Sequence, residues 1–206
     1  MKLAIFGATS GTGILLIEKA LTAGHEVKAF VRDASKLRME QGKLTVITGD
    51  ALNPEHVEEA VKGCDAVLST LGPKGKPAVM AAESTRNIVK AMEKHAVKRL
   101  ILVSVAGISV PQDKRGFDPV GGLIKLLLKS VFVDRENQIK VLESSIVEWV
   151  AIRVPRLTDE PGTGSVTAFF GKPSPTLKVT RSDLADFMLK QLTVNEWLCQ
   201  APIVRN

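Results

Sequence analysis

Lys2-Leu-Ala-Ile-Phe6 runs directly into Gly7-Ala-Thr-Ser-Gly-Thr-Gly13, and residues 14–21 continue with helical spacing. The short apolar run reads as a buried strand, so the glycines fall on a strand-to-helix turn. At such a turn a glycine-rich fingerprint seats the pyrophosphate of a dinucleotide on the start of a helix. The N–H groups that open the helix have no intrahelical partner, and the helix dipole adds partial positive charge, so no dedicated cation is needed. Gly7 permits the turn, and Gly13 lets helix and strand approach closely.

Outward from this turn, apolar runs recur with helical stretches between them. Strands are expected near 3–6, 26–31, 44–48, 66–69, 99–104 and 149–153, with a late short one around 201–204. Helices are expected over 11–23, 54–61, 79–95, once or twice between 120 and 144, and over 181–192. Near-continuous apolar strands mean that helices cover both faces, so the fold class is α/β: a Rossmann-like, doubly wound parallel sheet. A chain of 206 residues suits one such domain spanning 1–206, and is too short for a large separate substrate domain.

The net charge is +6, but the basic residues are scattered and aromatic residues make up only 4%, which argues against nucleic acid as a partner. The segment 120–133 is apolar, yet Lys125 and Lys129 interrupt it and it falls short of the ~20 residues that a membrane span needs. The chain starts in a strand and lacks a signal-peptide pattern, which points to the cytoplasm. His25, His56 and His95 are dispersed, and Cys64 and Cys199 have no ligand spacing, so no metal site is expected.

In this architecture ligands sit beyond the carboxyl ends of the strands. Arg32 ends the second strand, roughly twenty residues beyond the glycine turn, where an acidic residue would grip a ribose 2′-hydroxyl. A cation there suits a 2′-phosphate, hence NADP (NADPH) over NAD, with Ser35 and Lys36 within reach of the same phosphate. After the third strand, Asp50 can accept from the adenine amino group. After the fourth, Gly72 lets the backbone come close to the cofactor.

Several motifs follow one another in order: the glycine turn, Phe30-Val-Arg-Asp33, Gly49-Asp50, Ser69-Thr-Leu-Gly72, Thr85-Arg-Asn-Ile-Val89, Leu102-Val-Ser104, Glu148-Trp-Val-Ala-Ile-Arg153, Leu157-Thr-Asp159 and Arg181-Ser-Asp-Leu-Ala-Asp186. Together they resemble the atypical short-chain dehydrogenase/reductase group, specifically the NmrA-like NAD(P)-binding proteins that include flavin reductase (biliverdin-IXβ reductase). The resemblance implies that Gly7, Thr9, Ser10, Gly11 and Thr12 hold the pyrophosphate, and that Arg32, Ser35 and Lys36 hold the 2′-phosphate. It assigns Asp50 and Ala51 to the adenine, Leu71, Gly72 and Lys74 to the inner ribose side, and Met80 and Val103 to the nicotinamide end.

Departures from the family pattern bear on the chemistry. Ser10 stands where a glycine is usual, and Val105 stands where the substrate serine commonly sits, with Ser104 before it. The positions of two substrate-side histidines hold Arg135 and Arg156, which would bind an acceptor's phosphate or carboxylate if they enter the pocket. The chain contains no tyrosine, so the Tyr-x-x-x-Lys proton donor of ordinary short-chain enzymes is absent.

Hydride transfer to a ketone needs a proton donor, typically worth about 10²–10⁴ in rate. A flavin or quinone spreads the charge over a conjugated system and can take its proton from solvent. The expectation is therefore an NADPH-dependent reductase of a planar conjugated small molecule. The rival is a non-catalytic NADP-binding redox sensor that acts through a protein partner. A sugar-nucleotide epimerase would need the missing tyrosine and a larger C-terminal half.

Overall fold

Leu3, Ala4, Ile5 and Phe6 are all wholly buried in β1 (Lys2–Phe6). Leu3 and Ile5 join one apolar cluster while Ala4 and Phe6 join another, as the two-residue period of a strand covered on both faces requires. The computed structural model describes residues 1–39, 42–72, 80–113, 128–171, 174 and 176–206.

The main sheet contains β1 with β2 (Glu26–Val31), β3 (Leu44–Thr48), β4 (Ala66–Ser69), β5 (Arg99–Val105), β6 (Glu148–Val154), β8 (Thr167–Phe169) and β10 (Ile203–Arg205). Across the sheet the order is β3-β2-β1-β4-β5-β6-β10-β8. All neighbours are parallel except β8, which runs antiparallel to β10. β1 pairs with β2 through Ile5 and Ala29 and with β4 through Ile5 and Leu68. The strand order therefore reverses between β1 and β4, which opens a crevice at their carboxyl ends.

Helices α1 (Gly11–Thr22), α2 (Pro54–Val61), α3 (Ala81–Lys94), α4 (Lys129–Glu143) and α5 (Arg181–Lys190) flank the sheet. Val57, Met92 and Leu142 bring α2, α3 and α4 onto the Phe6 face, and Leu16 and Leu184 bring α1 and α5 onto the Ile5 face. Phe6 meets Phe30 with ring centroids 4.7 Å apart. Truncating so completely buried a ring costs about 3–5 kcal/mol. Asn53 caps α2, its Oδ1 accepting from the Glu55 N–H at 2.9 Å, and Pro54 takes the first helical position.

The expected strands are all present, within two residues at their ends. Three additions were not expected: β8, and a separate parallel pair of β7 (Arg156–Thr158) with β9 (Lys178–Thr180). Each spans three residues, too few to show a period of two. The sheet is thus mostly rather than wholly parallel. Of the expected apolar segment 120–133, residues 120–127 lie outside the described residues.

Candidate functional site

Gly7 has φ +76°, and a Cβ there would lie 2.7 Å from Thr70 Oγ1 and 2.8 Å from the Thr70 carbonyl carbon. Conformation and space both demand glycine at this position. Gly13 is equally constrained, because a Cβ would fall 2.3 Å from the Gly7 carbonyl oxygen. The two glycines let α1 start directly against the end of β1.

The Ser10 hydroxyl caps α1, accepting from the Gly13 N–H at 2.9 Å, and lies 2.9 Å from Thr70 Oγ1. The Thr70 hydroxyl also reaches the Gly7 carbonyl at 3.1 Å. This relay ties the ends of β1 and β4 across the crevice. The Ser10 N–H is engaged as well, donating to the Gly7 carbonyl at 2.9 Å. The N–H groups of Thr9, Gly11 and Thr12 have no partner among the described residues. Three donors at a helix start, backed by the dipole, fit a pyrophosphate.

Arg32, at the end of β2, is exposed and forms no ion pair among the described residues. Its neighbour Asp33 is engaged: Oδ1 accepts from the Ser35 hydroxyl at 2.6 Å and the Ser35 N–H at 3.1 Å, and Oδ2 lies 3.4 Å from Lys36 Nζ. The Ser35 hydroxyl, then its N–H, and the Lys36 ammonium hold the Asp33 carboxyl below its ordinary range. Asp33 thus caps the short 3₁₀ turn Ala34–Lys36 and leaves Arg32 unneutralised, whereas Ser35 and Lys36 already have a partner.

At the end of β3, Asp50 is exposed and its Oδ1 accepts from the Leu52 N–H at 3.0 Å. The Asp50 N–H donates to His56 Nδ1 at 3.2 Å, a role for His56 that the sequence does not announce. Ala51 is buried, and its carbonyl accepts from Asn87 Nδ2 of α3 at 3.1 Å. Asp50, Leu52, Asn53, Pro54 and Glu55 line a concave surface here.

The ends of β4 and β5 are joined by Arg135 of α4. Its Nη2 donates to the Leu71 carbonyl at 3.0 Å, and its Nη1 to the Val103 carbonyl at 3.1 Å and to Gln138 Oε1 at 3.0 Å. Gln138 in turn donates to Thr85 Oγ1 of α3 at 3.0 Å. Burial lowers the Arg135 pKa, and the Asp134 carboxylate beside it acts in the opposite direction. Arg135 is thus a buried strut between the ends of β4 and β5, its donors turned to two backbone carbonyls and the Gln138 side chain.

Asp134 carries a second, unexpected task. Its Oδ2 accepts from the N–H groups of Met80 at 3.0 Å and Ala81 at 2.7 Å, and its Oδ1 from Ala82 at 3.0 Å. It therefore caps α3, which has no side-chain cap of its own. A signal was available: Asp134, Gln138 and Leu142 recur at four-residue spacing, so two polar side chains lie on the buried stripe of α4.

Ser104 is buried, and its hydroxyl has no partner among the described residues. Strand alternation sets it on the Leu102 side, among the packed layer of α3 and α4, and Val105 leans on the same cluster. Val103 and Leu71 are half-buried and Gly72 is exposed. Arg156 is exposed on β7, in the separate two-stranded sheet. Lys74 lies outside the described residues. Among the described residues, no three His, Cys, Asp or Glu side chains are grouped to hold a metal, and no helix is long and apolar enough to cross a membrane.

The chain matches the NAD(P)H-binding family over residues 7–195. It belongs to that family. This NAD(P)H-binding protein is 27% identical over 200 residues to a Bacillus subtilis (strain 168) protein named uncharacterized sugar epimerase YhfK, covering 93% of the chain and 88% of the relative. It is 26% identical over 220 residues to tetraketide alpha-pyrone reductase 1 of Arabidopsis thaliana, covering 95% of the chain but 66% of that protein's length. Its fold is similar to ChuY, an anaerobillin reductase from Escherichia coli O157:H7, with TM-score 0.81 and 20% identity over 100% of the chain and 97% of ChuY. It is similar also to a short-chain dehydrogenase/reductase from Veillonella parvula DSM 2008 in complex with NADP, with TM-score 0.82 and 19% identity over 100% and 94%. At such identities the two structures speak for the fold.

Proposed function

We propose that the protein is an NADPH-dependent reductase that passes hydride to a flavin, a quinone or a similar planar conjugated acceptor, with residues 1–206 forming one nucleotide-binding domain. What carries this reading is the lack of any tyrosine in a chain whose dinucleotide crevice is otherwise furnished. Of the residues assigned to the nicotinamide end and the substrate side of β5, Met80, Val103 and Val105 are apolar, and Ser104 is buried. A ketone would leave an alkoxide that none of them can protonate, whereas a conjugated acceptor needs only alignment. An epimerase would likewise need a proton donor beside the sugar hydroxyl.

NADPH, when bound, supplies the hydride. The N–H groups of Thr9, Gly11 and Thr12 hold its diphosphate, and Arg32 its 2′-phosphate. Asp50 and Ala51 border the adenine, Leu71, Gly72 and Lys74 the inner ribose, and Met80 and Val103 the nicotinamide end. Arg135 ties together the Leu71 and Val103 carbonyls at the ends of β4 and β5, beside which the inner ribose and the nicotinamide would lie. Arg156, exposed and without an ion pair among the described residues, is the cation available to an acidic acceptor.

The test is an acceptor screen with NADPH and FMN, riboflavin or a quinone. Oxidation of the cofactor is the expected result. Binding of NADPH without turnover on any member of the panel would replace the reductase with a redox sensor.

A further inference from the structure

Arg181 opens α5, behind the Thr180 cap whose Oγ1 accepts from the Asp183 N–H at 3.0 Å. A cation in the first turn opposes the helix dipole, which favours anions there, so helix stability does not account for this arginine. Its side chain leaves α5 and lies over the glycine turn. A Cβ on Gly11 would be 2.9 Å from Arg181 Cδ and 3.1 Å from its Nε. Gly11 is one of the residues whose N–H opens α1 without a protein partner among those described.

Among the described residues the guanidinium has one ion-pair partner, Asp159 Oδ1, 2.7 Å from Nη1. The Asp159 side chain is 84% exposed, so the pair is held in water and is weak. A guanidinium has five donors in a planar fork that matches phosphate oxygens, and here most of that fork is unused.

We propose that Arg181 exchanges Asp159 for the pyrophosphate of the dinucleotide, adding a charge-assisted clamp to the backbone donors of α1. The proposal rests on the dinucleotide reading of the glycine turn and extends it to a residue outside the turn. The exchange replaces a solvated single carboxylate with a diphosphate carrying more charge and more acceptor oxygens. It also gives Gly11 a reason to lack a side chain, since a methyl group there would push the arginine off the turn.

Titrations of the intact protein with NADPH and with adenosine 2′-monophosphate, which keeps the 2′-phosphate but lacks the pyrophosphate, test the idea. Arg181→Gln should weaken NADPH about tenfold or more and leave adenosine 2′-monophosphate unchanged. Asp159→Asn, which frees the arginine, should tighten NADPH several-fold. Unaltered NADPH affinity in Arg181→Gln, a parallel loss of both ligands, or NADPH binding in Asp159→Asn that is unchanged or weaker would each overturn the clamp. A parent protein that binds neither NADPH nor NADH would instead bring down the dinucleotide reading, and the clamp with it.

Discussion

Arg153 and Asp113 face each other through two hydrogen bonds of 2.7 Å, and no part of the Arg153 side chain reaches solvent. Arg153 also donates to the carbonyls of Ala201 at 2.6 Å and Ile108 at 2.9 Å, while Asp113 accepts from the N–H groups of Val110 and Gly171. One ion pair thus joins the end of β6, the segment after β5, the residues after β8 and the approach to β10. Asp113→Ala would strand a buried guanidinium, and the expected loss is about 3–5 kcal/mol in urea unfolding. Replacing both partners by apolar residues, as in Asp113→Leu with Arg153→Met, should recover most of it.

Acid should destabilise the protein through two particular carboxylates. Burial tends to raise the Asp113 pKa, but Arg153 and the N–H groups of Val110 and Gly171 outweigh it and hold the value below the ordinary range. At Asp183 burial is likewise outweighed, there by the N–H groups of Thr163 and Gly164 and the hydroxyls of Thr180 and Thr163. A pKa depressed on folding contributes stability that is complete above the unfolded value, about 4, and is lost as the pH falls through the folded value. Unfolding free energy measured against pH should be level at neutrality and fall below about pH 4. The fall should be shallower in Asp183→Asn.

Arg32→Ala should weaken NADPH by roughly tenfold or more, the worth of a charge-assisted hydrogen bond, and leave NADH nearly untouched. Direct titration of both cofactors decides it. Equal losses would remove the 2′-phosphate from Arg32.

Asp134→Ala should leave the N–H groups of Met80, Ala81 and Ala82 without acceptors. A loss of about 1–3 kcal/mol is expected, with faster amide exchange at those three residues and little change at the far end of α3. Uniformly faster exchange along α3 would show that the cap is not local.

Arg135→Met and Arg156→Ala should separate floor from pocket. The first should cost about 1–3 kcal/mol of stability by stranding the Leu71 and Val103 carbonyls, without raising KM for FMN in particular. The second should leave stability within about 0.5 kcal/mol and raise KM for FMN. The reverse pattern would return Arg135 to the acceptor.

The sheet was legible because its longer strands are apolar along most of their length, and the glycine turn because its spacing along the chain is its signal. Ser10 shows what motif reading does not announce: it stands in place of a glycine, and its hydroxyl, accepting from Gly13 three residues on, is an ordinary helix cap. Helical spacing could mark Asp134 as a polar residue on a buried stripe, but not what it and Arg135 bind, because those backbone partners lie about 32–64 residues away in sequence. Arg153 reads as the polar end of a strand, since nothing in its neighbours announces a carboxylate forty residues earlier.

The cap of α3 has a consequence for how the molecule is made. Because the acceptor for the first amides of that helix is supplied by α4, a nascent chain that has released the first five parallel strands from the ribosome still holds α3 with a frayed amino end. Synthesis must pass residue 134 before the helix can close, so α3 settles against the amino-terminal strands only when translation of the second half of the chain is under way.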